Sequence, residues 1–213
     1  MNFAKPVFYI SITLFFFTFP ELTHTQQDVY IRVNKSQYKL SLMSDDNTVI
    51  STYPVSIGLN PDLKPKRYQG DNRTPEGTYR ITEIMTRDMP VKSQEYKKLA
   101  TLNKRNYLAK NGYHKYGQPG VDLGTNAYGY AYIGINYPNK TDLRSYETAC
   151  IAGQVPKKAG KYVGPGSGIA IHGNNDPASI QHPASQGCVR MLNTDIKQLV
   201  KNIKTGTKVV ILP

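Results

Sequence analysis

The chain of 213 residues has no tryptophan and only two cysteines, Cys150 and Cys188. Two cysteines allow at most one disulfide, so the fold cannot be a cross-linked scaffold and must rest on a packed core. No internal repeat is present, and no linker divides the chain into two cores. Beyond the N-terminus no apolar run approaches the ~20 residues that a membrane helix needs. With a mean hydropathy of −0.48, a polytopic membrane protein is excluded. Acidic residues are scarce: 15 stand against 27 Lys and Arg, for a formal net charge of +12.

Apolar residues make up 39% of the chain, enough for one core. The 17 Gly, 14 Pro and 16 Tyr favour short strands and turns over a helical bundle. Residues 1–25 read as an export signal. Lys5 supplies the positive start, Val7 to Phe19 the apolar stretch, Pro20 the break and Thr23-His24-Thr25 the cleavage site. An uncleaved anchor is the alternative. In an exported chain the positive charge is directed at cell wall or lipid head groups rather than nucleic acid, or serves solubility alone.

Along the chain, strands are expected at Val29–Val33, Tyr38–Leu42 and Thr48–Ile57, forming a meander turned at Asp45-Asp46-Asn47. Gly58 to Gly77 is a loop, and Thr78–Ile84 returns to alternation. From Met85 to Gln118 the chain is strongly basic, with a helix expected from Ser93 to about Lys110. That helix is either a solvated face or a lid. Ala127–Tyr137 reads as a core strand, Thr141–Cys150 as a short helix and Ile169–Ile171 as a strand that delivers His172. A helix capped by Asn193 or Thr194 and a strand at Lys208–Leu212 close the chain.

The stretch Ile169–Met191 gathers the reactive side chains. His172-Gly173 precedes Ser185-Gln186-Gly187-Cys188-Val189-Arg190-Met191, with His172 and Cys188 16 residues apart. They can meet if adjacent strands, or a strand and a turn, present them side by side. A thiol near pKa 8.5 must become a thiolate to attack, and lowering its pKa by about 2 units requires ~2.7 kcal/mol of preferential stabilisation. A nearby imidazolium and a cation would supply it. Gly187 allows a tight turn whose N–H groups converge as an oxyanion hole. Gly173 leaves the imidazole uncrowded and offers a carbonyl to orient it. Arg190 reaches a substrate carboxylate or holds the loop. On spacing alone, a Cys150–Cys188 disulfide, worth about 4 kcal/mol for a loop of that length, remains an alternative to a thiol nucleophile.

The chain resembles the L,D-transpeptidase catalytic domain, the YkuD family of cell-wall enzymes. The pattern is His-Gly followed by Ser-x-Gly-Cys-(Ile/Val)-Arg-(Met/Leu), met here by His172-Gly173 and Ser185–Met191. Tyr53–Gly58, Gly70-Asp71, Thr74–Tyr79, Tyr137-Pro138-Asn139 with Asp142, and Gly206–Ile211 match further segments, so the likeness runs from residue 28 to the C-terminus. Many members carry histidine where Gln186 stands; His182 is a loop residue that could stand nearby.

The resemblance implies a mainly β (α+β) domain, a sandwich of mixed sheets with a few helices, over residues 28–213, with 85–118 as a basic helical insertion or lid. It implies a free Cys188 as nucleophile, with His172 as proton donor and acceptor. Gly187 would supply oxyanion N–H groups, Gly173 would orient His172, and Ser185, Gln186 and Arg190 would contact substrate. Cys150 becomes a lone or buried thiol. The implied reaction forms an acyl-enzyme at meso-diaminopimelate of peptidoglycan stem peptides and transfers it to an amine, making 3→3 cross-links in cell-wall biogenesis. No metal or other cofactor, no nucleic acid and a monomer are expected, in the periplasm or tethered to the membrane by an uncleaved signal. Water as acceptor would make the protein an L,D-carboxypeptidase or a hydrolase of wall-attached protein, and an outer-membrane lipoprotein would make it a ligase. A non-catalytic wall-binding module is the alternative of another class.

Overall fold

The computed structural model of the protein describes Met1 and residues 28–60, 62–104, 109 and 112–213. The expected export signal therefore lies outside the described residues, Met1 apart. The opening meander is present as β1 (Val29–Asn34), β2 (Lys39–Ser44) and β3 (Val49–Gly58). Asn47 takes φ 67° in the tight β2–β3 turn, a conformation that Asn tolerates. Then follow β4 (Gly77–Thr86), helix α1 (Gln94–Lys104), the hairpin β5 (His114–Lys115) and β6 (Gln118–Asp122), β7 (Ala131–Ile135) and helix α2 (Lys140–Ile151). A small hairpin, β8 (Lys157–Lys158) and β9 (Lys161–Tyr162), leads to β10 (Ala170–His172), β11 (Pro183–Ser185), β12 (Val189–Met191), helix α3 (Asn193–Leu199) and β13 (Lys208–Leu212).

The main sheet has nine strands in the order β11-β3-β12-β10-β7-β4-β13-β1-β2, and β2 pairs again with β3. The two layers are thus continuous at both sides. β3 makes one corner, pairing with β2 over its first half and with β12 through Val55 and Ser56. β4 makes the other, pairing with β13 through Gly77–Arg80 and with β7 from Ile81 onward, with an irregularity between Ile81 and Glu83. Long strands that bend from one layer to the other are the usual corners of such packings. Parallel pairs (β1 with β13, β10 with β12, β11 with β3) mix with antiparallel ones. This is the mainly β, mixed-sheet architecture expected.

Period-2 alternation explains which face is inside. Ile31 and Val33, Leu40 and Leu42, Val55 and Ile57, Ile133 and Ile135, Val189 and Met191, and Val209 and Ile211 all enter one core between the layers. Ile196 and Leu199 of α3 close it. Neighbouring residues of the same strands must then point outward.

Two buried lysines order the loop between β3 and β4, which has no apolar period of its own. An unpaired buried ammonium costs several kcal/mol, so each must find partners. Lys35 donates to the carbonyls of Leu63 (2.8 Å) and Lys64 (3.2 Å) and pairs with Glu76 at 2.6 Å. Lys66 pairs with Asp71 at 2.7 Å. Asp71 also accepts the backbone N–H groups of Arg67, Tyr68 and Arg73, at 2.6, 3.2 and 3.1 Å.

Several expectations are corrected in detail. α1 is described over Gln94–Lys104, and residues 105–108 and 110 of the expected helix lie outside the described residues. The strand expected over Ala127–Tyr137 narrows to β7 because Asn126 and Gly129 form a turn at left-handed φ values of 65° each. α2 starts from a capping box in which Asn139 and Asp142 bond each other's backbone N–H. α3 has no side-chain cap; its Asn193 is used elsewhere.

Candidate active site

The outward positions of two parallel strands make the site. β10 and β12 pair in the register Ile171 with Val189 and His172 with Arg190. Ile171 and Val189 point into the core, so Ala170, His172, Cys188 and Arg190 share the opposite face. Cys188 and His172 are then diagonal neighbours on adjacent strands, about 7–8 Å apart at the backbone. Both side chains line one cavity with Arg190, Tyr128 and Gln186.

His172 is 4% exposed. Its Nδ1–H donates to the Gly173 carbonyl at 2.5 Å, so the neutral ring keeps its lone pair on Nε2. The Tyr128 ring lies 4.8 Å from the imidazole at 47°. Burial first, and the Arg190 charge second, push the His172 pKa down to about 3 against the opposing Gly173 carbonyl. Cys188 is half-buried, its thiol 3.7 Å from the Gly168 carbonyl. Burial raises its pKa, against the thiolate-favouring Ala170 N–H and the charges of Arg190 and Lys66. The resting pair is therefore neutral thiol and neutral imidazole. The imidazolium expected from the sequence to lower the thiol pKa is disfavoured by burial and by the Arg190 charge alike, while burial holds the thiol up against the cations.

The turn before Cys188 is built from its own atoms. Ser185 Oγ accepts the Gly187 N–H at 3.0 Å and donates to the Cys188 carbonyl at 2.5 Å. The Gly187 N–H expected to serve an oxyanion is thus bonded to Ser185, and the Ser185 hydroxyl expected to contact substrate bonds the turn itself. Gly187 is required sterically instead. At φ +135°, a Cβ there would lie 2.8 Å from the Arg73 carbonyl and 2.9 Å from Ile169 Cδ1. The Gly173 carbonyl does meet His172, but its lack of a side chain has a different reason from the one expected. A Cβ would collide with Asn193 Oδ1.

Asn193 and its neighbours carry no catalytic signature in the sequence, yet they fix the loop after His172. Asn193 Oδ1 accepts the Tyr130 N–H and its Nδ2 donates to the Asn174 carbonyl, both at 2.8 Å. Asn174 Nδ2 donates to the Met191 carbonyl at 2.9 Å, and Asn103 of α1 bonds the Tyr128 N–H (3.0 Å) and the Gly129 carbonyl (2.8 Å). Met85, Leu99, Tyr132 and Ala170 form a second apolar cluster on which Tyr128 and Cys188 rest. The basic helix α1 is thus exposed on one face and packs through Leu99 and Asn103 against the cluster and the loop that carry Tyr128.

The β5–β6 hairpin roofs the site. Tyr113 Oη donates to Gln186 Oε1 at 2.5 Å. The Tyr116 ring stacks on His182 at 4.0 Å and 8°, and the Tyr116 N–H donates to Asp176 Oδ2 at 2.7 Å. His182 is therefore a roof contact in its loop. Cys150 sits in a separate cluster with Ala149 and Val155, and both cysteines are free, so the disulfide alternative is set aside. Among the described residues no cluster of His, Cys, Asp or Glu could hold a metal ion, and no helix is long and apolar enough to cross a membrane.

Residues 28–211 match the family model of the L,D-transpeptidase catalytic domain, YkuD. Over 186 residues the chain is 27% identical to a Bacillus subtilis protein named as an L,D-transpeptidase, YqjB, covering 86% of this chain and 71% of that one. Over 43 residues it is 46% identical to the Bacillus licheniformis protein named as L,D-transpeptidase YkuD, covering 20% of this chain and 26% of that protein. Among solved structures it is similar to Bd1075 of Bdellovibrio bacteriovorus, at 25% identity and a TM-score of 0.48, over 90% of this chain and 49% of that one. It is also similar to the helical cell shape determining protein Pgp2 of Campylobacter jejuni, at 17% identity and a TM-score of 0.49, over 87% and 47%. The chain thus spans about a quarter of that YkuD relative and about half of these two structures.

Proposed function

The chain belongs to the L,D-transpeptidase catalytic domain family, and from that premise we propose that it is an exported cysteine acyltransferase acting on peptidoglycan stem peptides. One observation supports this most: Cys188 and His172 share the outer face of two parallel strands, in one cavity, with His172 Nδ1 already tied to Gly173. Nε2 is then the free base. The N-terminal apolar stretch supports export to the periplasm.

In this reading the donor is the peptide bond from the L-centre of diaminopimelate to D-Ala. His172 Nε2 takes the Cys188 proton as sulfur attacks the carbonyl carbon. This order follows from the neutral resting pair, since no thiolate waits in advance. With the Gly187 N–H bonded to Ser185, the Cys188 N–H is the amide this reading assigns to the oxyanion. The C–N bond breaks, the imidazolium returns its proton to the departing D-Ala amine, and a thioester remains. An amine of a second stem peptide attacks, His172 removes its proton, and Cys188 leaves as the thiol. The products are a 3→3 cross-linked dimer and free D-Ala, with atoms and charge balanced and no cofactor required. Arg190, buried beside the pair, favours the negative sulfur as it develops.

Incubating the purified protein with disaccharide-tetrapeptides and separating the muropeptides tests the reading. Dimers cross-linked 3→3 and free D-Ala are expected, both lost in Cys188→Ala. Tripeptide without dimer would make water the acceptor. Absence of D-Ala release, with Cys188 shown to be reduced, would sink the transferase and favour a wall-binding module.

A further inference from the structure

Lys66 is a buried cation that the chemistry above does not use. Its side chain is 4% exposed, and its ammonium donates to Asp71 Oδ1 at 2.7 Å and to the Tyr68 carbonyl at 3.0 Å. An ammonium has three N–H donors. Lys35, its counterpart in the same loop, has three acceptors around it, the carbonyls of Leu63 and Lys64 and the Glu76 carboxylate. Lys66 has two among the described residues. It also lines a second cavity that reaches Cys188 past Gln69, Gly166 and Ser167.

Lys66 is the charged group in that cavity's lining, and no carboxylate shares it. Asp71 pairs with that ammonium from one side. It lies outside the lining, and its oxygens also receive three backbone N–H groups. The positive character continues outside. Gln69 N–H bonds the Gly164 carbonyl at 2.8 Å and Arg67 bonds Gln154 at 2.8 Å, seating the 66–70 loop beside the β8–β9 hairpin. That hairpin exposes Lys157, Lys158 and Lys161. The Lys66 charge is close enough to favour the Cys188 thiolate.

We propose that Lys66 binds a carboxylate of the acyl-donor peptide and so holds the scissile carbonyl over Cys188. The assignment rests on the transferase reading given above. Two carboxylates lie near the scissile bond of a stem tetrapeptide: that of the terminal D-Ala and that on the side chain of diaminopimelate. Both offer the same chemistry to an ammonium, and selective amidation separates them.

The experiment measures kcat/KM for formation of the common tripeptide product's acyl part, read as release of the fourth residue (D-Ala, or D-alaninamide from the C-terminal amide), from three synthetic tetrapeptides: unmodified, amidated at the C-terminus, and amidated on the diaminopimelate side chain. The native chain and K66Q are compared on all three. A charge-assisted hydrogen bond predicts a loss of about 10- to 100-fold on one amidated peptide with the native chain. K66Q should show a similar loss on the unmodified peptide and no longer distinguish it from that amide. Native discrimination retained in K66Q, or none in the native chain, overturns the assignment while leaving the transferase intact. If the native chain releases the fourth residue from none of the three, the transferase reading falls and the assignment with it. If K66Q loses its thermal transition, the three peptides on the native chain and on K66R decide, and K66R should keep the preference.

Discussion

Cys188 and His172 are set by burial more than by their partners. Desolvation raises the thiol and depresses the imidazole, so each holds its neutral form near neutral pH. Alkylation of Cys188 by iodoacetamide should therefore rise steadily through about pH 7 to 9, without the plateau that a preformed thiolate–imidazolium pair gives between about pH 4 and 7. Mass spectrometry of the carbamidomethylated peptide reads the rate directly. A flat rate over the acidic range would show that the ion pair exists and that the proton transfer described above occurs before substrate arrives.

Gly187 is the second residue where one atom decides. Gly187→Ala places a Cβ 2.8 Å from the Arg73 carbonyl at a φ that L side chains avoid. Strain of this kind costs about 1–3 kcal/mol, and overpacking adds to it. The expected outcome is a lower thermal midpoint and loss of D-Ala release, because the displaced turn carries Cys188 with it. A variant with native midpoint and native rate would show that the loop of Arg73 yields freely.

The elements differ in how plainly the sequence announces them. β1, β2, β3, β4 and β13 carry alternating apolar positions over part of their length, and the structure has them within a residue or a few of the expected ends. The pair His172 and Cys188 was legible because the motif ends β10 and starts β12, which places both on one face. The roof was not. Tyr113 to Asp122 has no period, and its order comes from long-range contacts of Tyr113 with Gln186, Tyr116 with His182 and Asp176, and Asn175 with the carbonyls of Leu123 and Thr125. Nor could the sequence show that Ser185 takes the Gly187 N–H, or that Asn193 abandons its helix cap for Tyr130 and Asn174. Each depends on a partner distant in the chain or on a turn's dihedral angles.

The roof can be tested as an element. Tyr116→Ala removes the stack on His182 and leaves the strands of the core untouched. Amide exchange in residues 112–125 should speed up, and Cys188 should react several-fold faster with a bulky maleimide, while the thermal midpoint falls little. Unchanged thiol reactivity would mean that the hairpin does not limit access to Cys188.

For the whole molecule, acid is the informative stress, because a neutral buried histidine couples folding to pH. The His172 pKa is depressed to about 3 in the folded chain, against about 6.5 in an unfolded one. The unfolded state therefore binds a proton that the folded state refuses. The stability this gives is fully present above about pH 6.5, declines as pH falls below that, and is gone below about 3. At about pH 5 the loss amounts to about 2 kcal/mol. His172→Gln cannot take up that proton. Its unfolding free energy in denaturant should start lower, because a packed imidazole bonded to Gly173 is lost, and should then fall less steeply than that of the native chain between about pH 6.5 and 4. Carboxylates such as Asp62, held at about 2 by Arg73, titrate alike in both proteins and cancel in the comparison. Parallel curves for the two proteins would mean that water reaches His172 and that the imidazole is charged when the chain is folded, which would also remove the neutral base on which the order of proton transfer depends.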